Sequence, residues 1–251
     1  MCFTIFSKIF NRRTTTTINT NSRSLSDKNS NMVAGSNPVI ISPEDTHTST
    51  LIFFHGLGDQ GYGWADSLKS PIKPQGTKVI CPNAAERPVT LNMGMVMPAW
   101  FDLKGLSPTD PEDIEGINTA TKYVHNLIEA EIAKGIPSEK IVVGGFSMGG
   151  ALAIYAGLTF TKPLGGIIGL STFLCQRDKI ESNISANKKV PMLLGHGTND
   201  FLLPFAVGKM TAEKLKSFNP NVEFKSYSGM QHSSCQQEMI DVQNFLNKVL
   251  S

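Results

Sequence analysis

Short continuous apolar runs alternate along the chain with longer segments whose apolar residues recur every three or four positions. Six runs read as strands: Thr50–Phe54, Lys78–Pro82, Ile141–Gly145, Gly166–Ser171, Val190–Gly195 and Val222–Tyr227. Most are continuous rather than alternating, the pattern of strands covered on both faces. Between them lie helical patterns. Pro111–Lys134 begins with acidic residues and carries Ile114, Ile117, Ala120, Val124, Leu127 and Ile128 at helical spacing, and Gly135 closes it. Gly149–Leu158 follows the third run directly, and Phe205–Phe218 and Gln236–Leu250 complete the set. In the last, Met239, Val242, Phe245, Leu246 and Val249 share a face. Strand-then-helix repetition predicts an α/β fold with a mostly parallel central sheet and helices on both faces. Such sheets carry their sites at the carboxyl ends of the strands.

Composition changes this picture at the N-terminus. Of 23 basic and 21 acidic residues, five basic and one acidic fall within residues 1–43. That stretch is also crowded with Ser, Thr and Asn, a composition that cannot fold by itself. Residues 1–43 are therefore read as a flexible or targeting extension, and residues 44–251 as one catalytic-sized domain. The formal net charge of +2 is too small for a nucleic-acid binder. No unbroken apolar run reaches the roughly 18 residues of a membrane-spanning helix. Cys2, Cys81, Cys175 and Cys235 are scattered, with no CxxC pair, which favours free thiols and a reducing compartment such as the cytoplasm.

Three functional readings of the extension compete with that of a tail without function. A secretory signal is disfavoured, because Lys8 interrupts a short apolar core and no small-residue cleavage site follows. A mitochondrial presequence fits the amphipathic, Arg-, Ser- and Thr-rich, acid-poor pattern. Reversible palmitoylation at Cys2, beside Phe3, Phe6 and Phe10, implies peripheral membrane association.

The chemistry centres on Gly145-Phe146-Ser147-Met148-Gly149. A G-x-S-x-G sequence between an apolar strand and a helix predicts a sharp turn that exposes the serine hydroxyl. The helix amides beyond it then face developing negative charge. A serine needs a base, and this arrangement follows the chain order Ser, acid, His. His47, His55 and His125 precede Ser147, so the candidates are His196 and His232. His232 lies in a loop between the sixth strand and the last helix, where a base can reach Ser147. His196, between two glycines, reads as a turn residue near the acid loop. Asp200 follows the fifth strand and is the preferred acid, with Asp178 and Glu181 as rivals. Asp241, Glu238, Glu213 and Glu223 read as solvated surface charges. An oxyanion hole needs two backbone amides: that of Met148, after the nucleophile, and that of Leu57 in His55-Gly56-Leu57-Gly58-Asp59. No HExxH, P-loop or clustered His/Cys set is present, so neither metal nor cofactor is expected.

These stretches resemble the acyl-protein thioesterase/lysophospholipase family of α/β-hydrolases. The resemblance rests on HGLGDQGYGW (55–64), RPVTLNMGMVMPAWFD (87–102), GLSP (105–108), GGFSMGGA (144–151), GHGTNDFLLP (195–204) and YSGMQHSSCQQEM (227–239). It implies Ser147, Asp200 and His232 as a catalytic triad and Leu57 and Met148 as oxyanion donors, matching the order argument. Similar animal proteins carry glutamine where this chain has Met148. Some similar members are palmitoylated on a cysteine after the first Met, as at Cys2. The resemblance tilts the methionine-rich segment Leu91–Phe101 toward an acyl-binding wall built from Met93, Met95, Met97 and Trp100; ordinary core packing is the alternative. The expected activity is hydrolysis of fatty-acyl thioesters on S-acylated, palmitoylated proteins and of related esters, by a monomer or weak dimer. A carboxylesterase or lysophospholipase acting on small esters or lysophospholipids is the rival within enzymes. A non-catalytic hydrolase-fold binding protein is the rival outside them.

Overall fold

The computed structural model describes residues 33–69, 71–107 and 109–251. The chain runs β1 (Val39–Ile41), β2 (Ser49–Phe54), α1 (Gly61–Ala65), β3 (Thr77–Cys81), β4 (Glu86–Val89), β5 (Met95–Pro98), α2 (Ile114–Ile132), β6 (Ile141–Phe146), α3 (Met148–Thr159), β7 (Gly166–Leu170), α4 (Ile180–Asn183), β8 (Met192–Gly197), α5 (Phe205–Lys216), β9 (Val222–Tyr227) and α6 (Gln236–Leu250). Seven strands form one sheet in the order β1-β3-β2-β6-β7-β8-β9. Among the described residues of this sheet, β1–β3 is the antiparallel pair and the other five pairs are parallel.

The continuous apolar runs have the predicted cause. All six residues of β2 are buried. Ile52 and Phe54 join one core with Val143 and residues of α2, α3 and α5. Leu51 and Phe53 join a second core with Val142 and residues of α1 and α6. Helix α3 has no polar face, since Met148 through Leu158 are all buried. It is covered by the sheet on one side and by α2 on the other, where the His125 ring nitrogen meets the Ala156 carbonyl at 2.9 Å. Helix α2 starts three residues later than its pattern begins, because Asp113 caps it by accepting from the Gly116 amide.

Two expectations need correction. Residues 33–43, assigned to the extension on composition, belong to the packed body. Val33 is buried, Ala34 bridges Ala84, and β1 pairs with β3 from Val39 opposite Cys81. Val33 and Val39–Ile41 are too short to outweigh the polar residues around them in an average. Residues 1–32, with Cys2 and the Phe3–Phe10 segment, lie outside the described residues. Glu238 and Asp241, expected in solvent, are instead buried. Asp241 accepts from Tyr227 Oη and Lys225 Nζ, both at 3.0 Å. Burial pushes the Glu238 carboxyl up to about 7.

The antiparallel hairpin of β4 and β5 was not visible as strands, because each is four residues long and contains a proline. Cys81 and Cys175 are free and buried, as their apolar surroundings predict. Among the described residues no helix is long and apolar enough to cross a membrane.

Candidate active site

Ser147 sits between β6 and α3 with φ 53° and ψ −120°, a conformation that a non-glycine residue adopts only under constraint. The constraint is visible. Its amide donates to Leu170 O at 2.8 Å, and its carbonyl accepts from Thr172 Oγ1 at 2.7 Å and from the Ala151 amide at 3.0 Å. The flanking glycines are required by space. A Cβ at Gly145 meets the Gly149 carbonyl group at 2.4 Å, and a Cβ at Gly149 meets Phe54 O at 2.2 Å.

His232 reaches this turn from the loop after β9. Its Nε2 lies 3.0 Å from Ser147 Oγ, and its Nδ1 lies 2.7 Å from Asp200 Oδ2. A carboxylate only accepts, so Nδ1 donates to Asp200 and the Nε2 lone pair faces the Ser147 hydroxyl. The Phe146 ring packs against the imidazole at 4.7 Å.

Asp200 is held from behind. Its Oδ1 accepts from the amides of Leu202 (3.0 Å) and Leu203 (2.8 Å), which leaves Oδ2 for His232. The acid and base loops are tied together where the Asn199 amide donates to Met230 O at 3.0 Å. His196 is buried beneath them, 2.9 Å from Leu203 O and 3.5 Å from Asp200 Oδ2. Burial lowers its pKa, against the opposing pull of the Leu203 carbonyl and Asp200. The rival acids face elsewhere: Asp178 is exposed beside Arg177, and Glu181 faces Lys214.

The two expected oxyanion donors come from the two segments that meet at Ser147. Met148 opens α3, so its amide is one of the four that no helical carbonyl can satisfy. Leu57 follows β2, and among the described residues its amide has no acceptor. Gly56 brings that loop close: a Cβ there would sit 3.4 Å from Ser147 Cβ.

Residues 36–250 match the phospholipase/carboxylesterase family. The chain belongs to that family. Acyl-protein thioesterase 1 of Gibberella zeae is 43% identical over 224 residues, covering 85% of this chain and 95% of that protein. The Cryptococcus neoformans acyl-protein thioesterase 1 is 40% identical over 228 residues, covering 84% of this chain and 96% of the other. The crystal structure of Zea mays acyl-protein thioesterase 2 superposes with a TM-score of 0.79 at 32% identity, covering 86% of this chain and all of that one.

For this family member the methionine-rich segment divides. Trp100 is fully buried, edge-on to Phe54, and its Nε1 donates to His55 O at 2.9 Å. It supports the loop that follows β2 from within the core, which removes it from the lining of any open groove. Met97 is half-buried beside that loop, its Sδ 3.8 Å from where a Gly58 Cβ would stand. Met93 and Met95 are exposed on the β4–β5 hairpin. A cavity of about 810 Å³ opens between residues 101–107, residues 109–114 and α5, with Phe101, Leu103, Phe173 and Leu174 among its apolar lining. Thr172 was not anticipated. Its place just after β7 was the available signal, but nothing local shows which backbone a threonine will hold.

Proposed function

We propose that this chain is a serine hydrolase that cleaves fatty-acyl thioesters on S-acylated proteins, together with related esters. The observation that carries the reading is the continuous hydrogen-bonded chain from Ser147 through His232 to Asp200. The thioesterase relatives supply the substrate class.

Ser147 Oγ attacks the thioester carbonyl while His232 Nε2 takes its proton. The C=O electrons move onto oxygen, and the amides of Leu57 and Met148 stabilise that oxyanion. Collapse breaks the C–S bond, and the imidazolium returns the proton to the departing thiol. Water then attacks the acyl-enzyme, giving its proton to His232. The second tetrahedral species releases the fatty acid and restores the Ser147 hydroxyl. Asp200 holds the imidazole in the tautomer this sequence needs. Because a backbone amide donates at Met148, its buried side chain contributes packing rather than charge.

Met97, with Met95 two residues away on the same face of β5, forms the acyl wall nearest the scissile carbonyl in this reading. Met93 extends that wall along the hairpin. The apolar part of the 810 Å³ cavity lies next in sequence to Thr172 and is of a size that accepts extended apolar ligands.

Ser147→Ala is expected to abolish both fluorophosphonate labelling and hydrolysis of a palmitoylated peptide. Turnover retained by the pure, folded variant would refute the assignment. A lysophospholipase or carboxylesterase is the second reading, favoured by the description of the family itself. A higher kcat/KM on a lysophospholipid or a short ester than on the palmitoylated peptide decides for it.

For location we infer the cytoplasm, with peripheral membrane association through the N-terminal segment that carries Cys2, and mitochondrial targeting as the alternative. Imaging of a C-terminal fluorescent fusion, with and without Cys2→Ser, separates them. For assembly we infer a monomer or weak dimer, testable by sedimentation.

A further inference from the structure

His55 was excluded as the base because it precedes Ser147, yet it is fully buried directly beneath the oxyanion loop. We infer that His55 is a positioning residue for the oxyanion hole: its Nδ1–H holds the Gly56 carbonyl and thereby aims the Leu57 N–H of the same peptide unit. The inference rests on the acyl-transfer reading above and adds to it the origin of one donor's orientation.

The tautomer follows from the partners. The Ala84 amide donates to His55 Nε2 at 3.0 Å, so that nitrogen carries the lone pair. A neutral imidazole then has its proton on Nδ1, which lies 2.7 Å from Gly56 O. A peptide unit is planar and trans, so its C=O and N–H point in opposite directions. Fixing Gly56 O toward the imidazole therefore fixes Leu57 N–H away from it, in a loop where a Gly56 Cβ would stand 3.4 Å from Ser147 Cβ. The hydrogen bond also polarises that peptide, which strengthens the N–H as a donor.

The ring and its own backbone are clamped as well. The imidazole packs on Trp100 at 4.8 Å, and Trp100 Nε1 donates to His55 O. Gly149 of α3 leaves no room on the other side: a Cβ there would stand 2.4 Å from His55 O. The Asp59 amide adds a second donor to Gly56 O at 3.3 Å. Burial disfavours the imidazolium, against the opposing pulls of the Gly56 carbonyl and Asp59, and a proton on Nε2 would face the Ala84 N–H. The group is thus a fixed donor rather than a proton carrier.

The test uses the full chain with His55→Leu and His55→Asn, each checked for a native unfolding transition. In His55→Leu we expect kcat for thioester hydrolysis to fall by about 10- to 100-fold with KM within about twofold. Affinity for an alkyl trifluoromethyl ketone, whose adduct with Ser147 bears the oxyanion, is expected to fall by the same factor. His55→Asn keeps a donor near the Nδ1 position and is expected to recover most of that loss. A folded His55→Leu with kcat within about twofold of the parent overturns the inference. So does a loss confined to KM or to unfolding temperature with trifluoromethyl ketone affinity unchanged.

A measurement on the parent chain needs no variant to fold. Histidine ¹⁵N chemical shifts of the neutral imidazole are expected to show His55 as the Nδ1–H tautomer; the Nε2–H tautomer overturns the proposal. A parent chain that takes no fluorophosphonate on Ser147 fails the acyl-transfer reading itself. A labelled parent with an unaffected His55→Leu fails this inference alone.

Discussion

The two ends of the central sheet each bury a carboxylate, and the two are handled in opposite ways. At the carboxyl end, Asp200 meets two backbone amides and the His232 imidazole. At the amino end, Glu131 is held by cations. Lys78 Nζ lies 2.6 Å from both its oxygens, Lys134 Nζ lies 2.7 Å from one, and Thr50 Oγ1 donates at 3.0 Å. Both side chains are almost wholly removed from solvent. The charge of Glu131 is neutralised within its own cluster. Among the described residues, that of Asp200 has no Lys or Arg beside it and faces an imidazole that leads out to Ser147. Burial alone therefore does not mark a functional carboxylate; the charge of its partners does.

Substitutions at the two ends test this contrast. The largest effect is expected at Asp200. Asp200→Asn keeps the shape but favours the wrong His232 tautomer, so kcat is expected to fall about 10⁴-fold while the unfolding temperature changes little. Steady-state kinetics on a chromogenic ester measure it. A loss below about tenfold breaks the comparison.

Glu131→Gln is expected to do the reverse. Leaving Lys78 without its counter-charge destabilises the fold by about 3 kcal/mol, read by urea unfolding, with kcat per folded molecule unchanged. Burial on its own raises the Glu131 pKa, but hydrogen bonds from Lys134, Lys78 and Thr50 outweigh it and hold the group below its usual range. Its contribution to stability is therefore present above the ordinary carboxylate pKa and lost as pH falls through and below it. Glu131→Gln is expected to flatten that acid limb.

Glu238 is a third case, a buried carboxyl whose desolvation, with the nearby charge of Asp241, outweighs the opposing pull of Ser234. Its pKa is raised, so the sign is opposite: the protein is most stable below the unfolded value, and stability declines as pH rises toward about 7. Glu238→Gln is expected to remove that decline, worth about 2 kcal/mol between pH 5 and 8. An unchanged pH–stability curve excludes a perturbed Glu238.

The smallest effect belongs to the hairpin. Met97→Ser is expected to raise KM for a long-chain ester by about threefold relative to a short one, with kcat unchanged. An equal change for both chain lengths removes Met97 from the acyl wall.

Much of this was legible in the chain. Each of the six apolar runs lies on a strand, and the helix patterns lie on α2, α3, α5 and α6. The reason is physical: continuous runs report two-sided cover, and a period near 3.6 reports one-sided cover. The glycines around Ser147 were legible because the turn leaves no space for a Cβ. The β4–β5 hairpin was not, since four-residue strands with prolines carry no reliable period. Nor was the burial of Glu238, because a helix pattern says which face is apolar but not how far a neighbouring strand or loop overhangs its polar edge.

By itself, then, the sequence determined the order of strands and helices, the position of the candidate nucleophile and the chain order of its proposed partners. Those are set by local turn chemistry and by side-chain periodicity. Only the tertiary structure decided that Asp200 rather than Asp178 or Glu181 faces His232, that Trp100 lies inside the core, and that the buried His55 ring lies between the Gly56 carbonyl and the Ala84 amide. These are convergences over distance: Ser147 and His232 are 85 residues apart, and His55 meets the Ala84 amide across 29. Which groups meet depends on how the crossovers bring the carboxyl ends of β2, β6, β8 and β9 to one edge of the sheet, and no local pattern encodes that meeting.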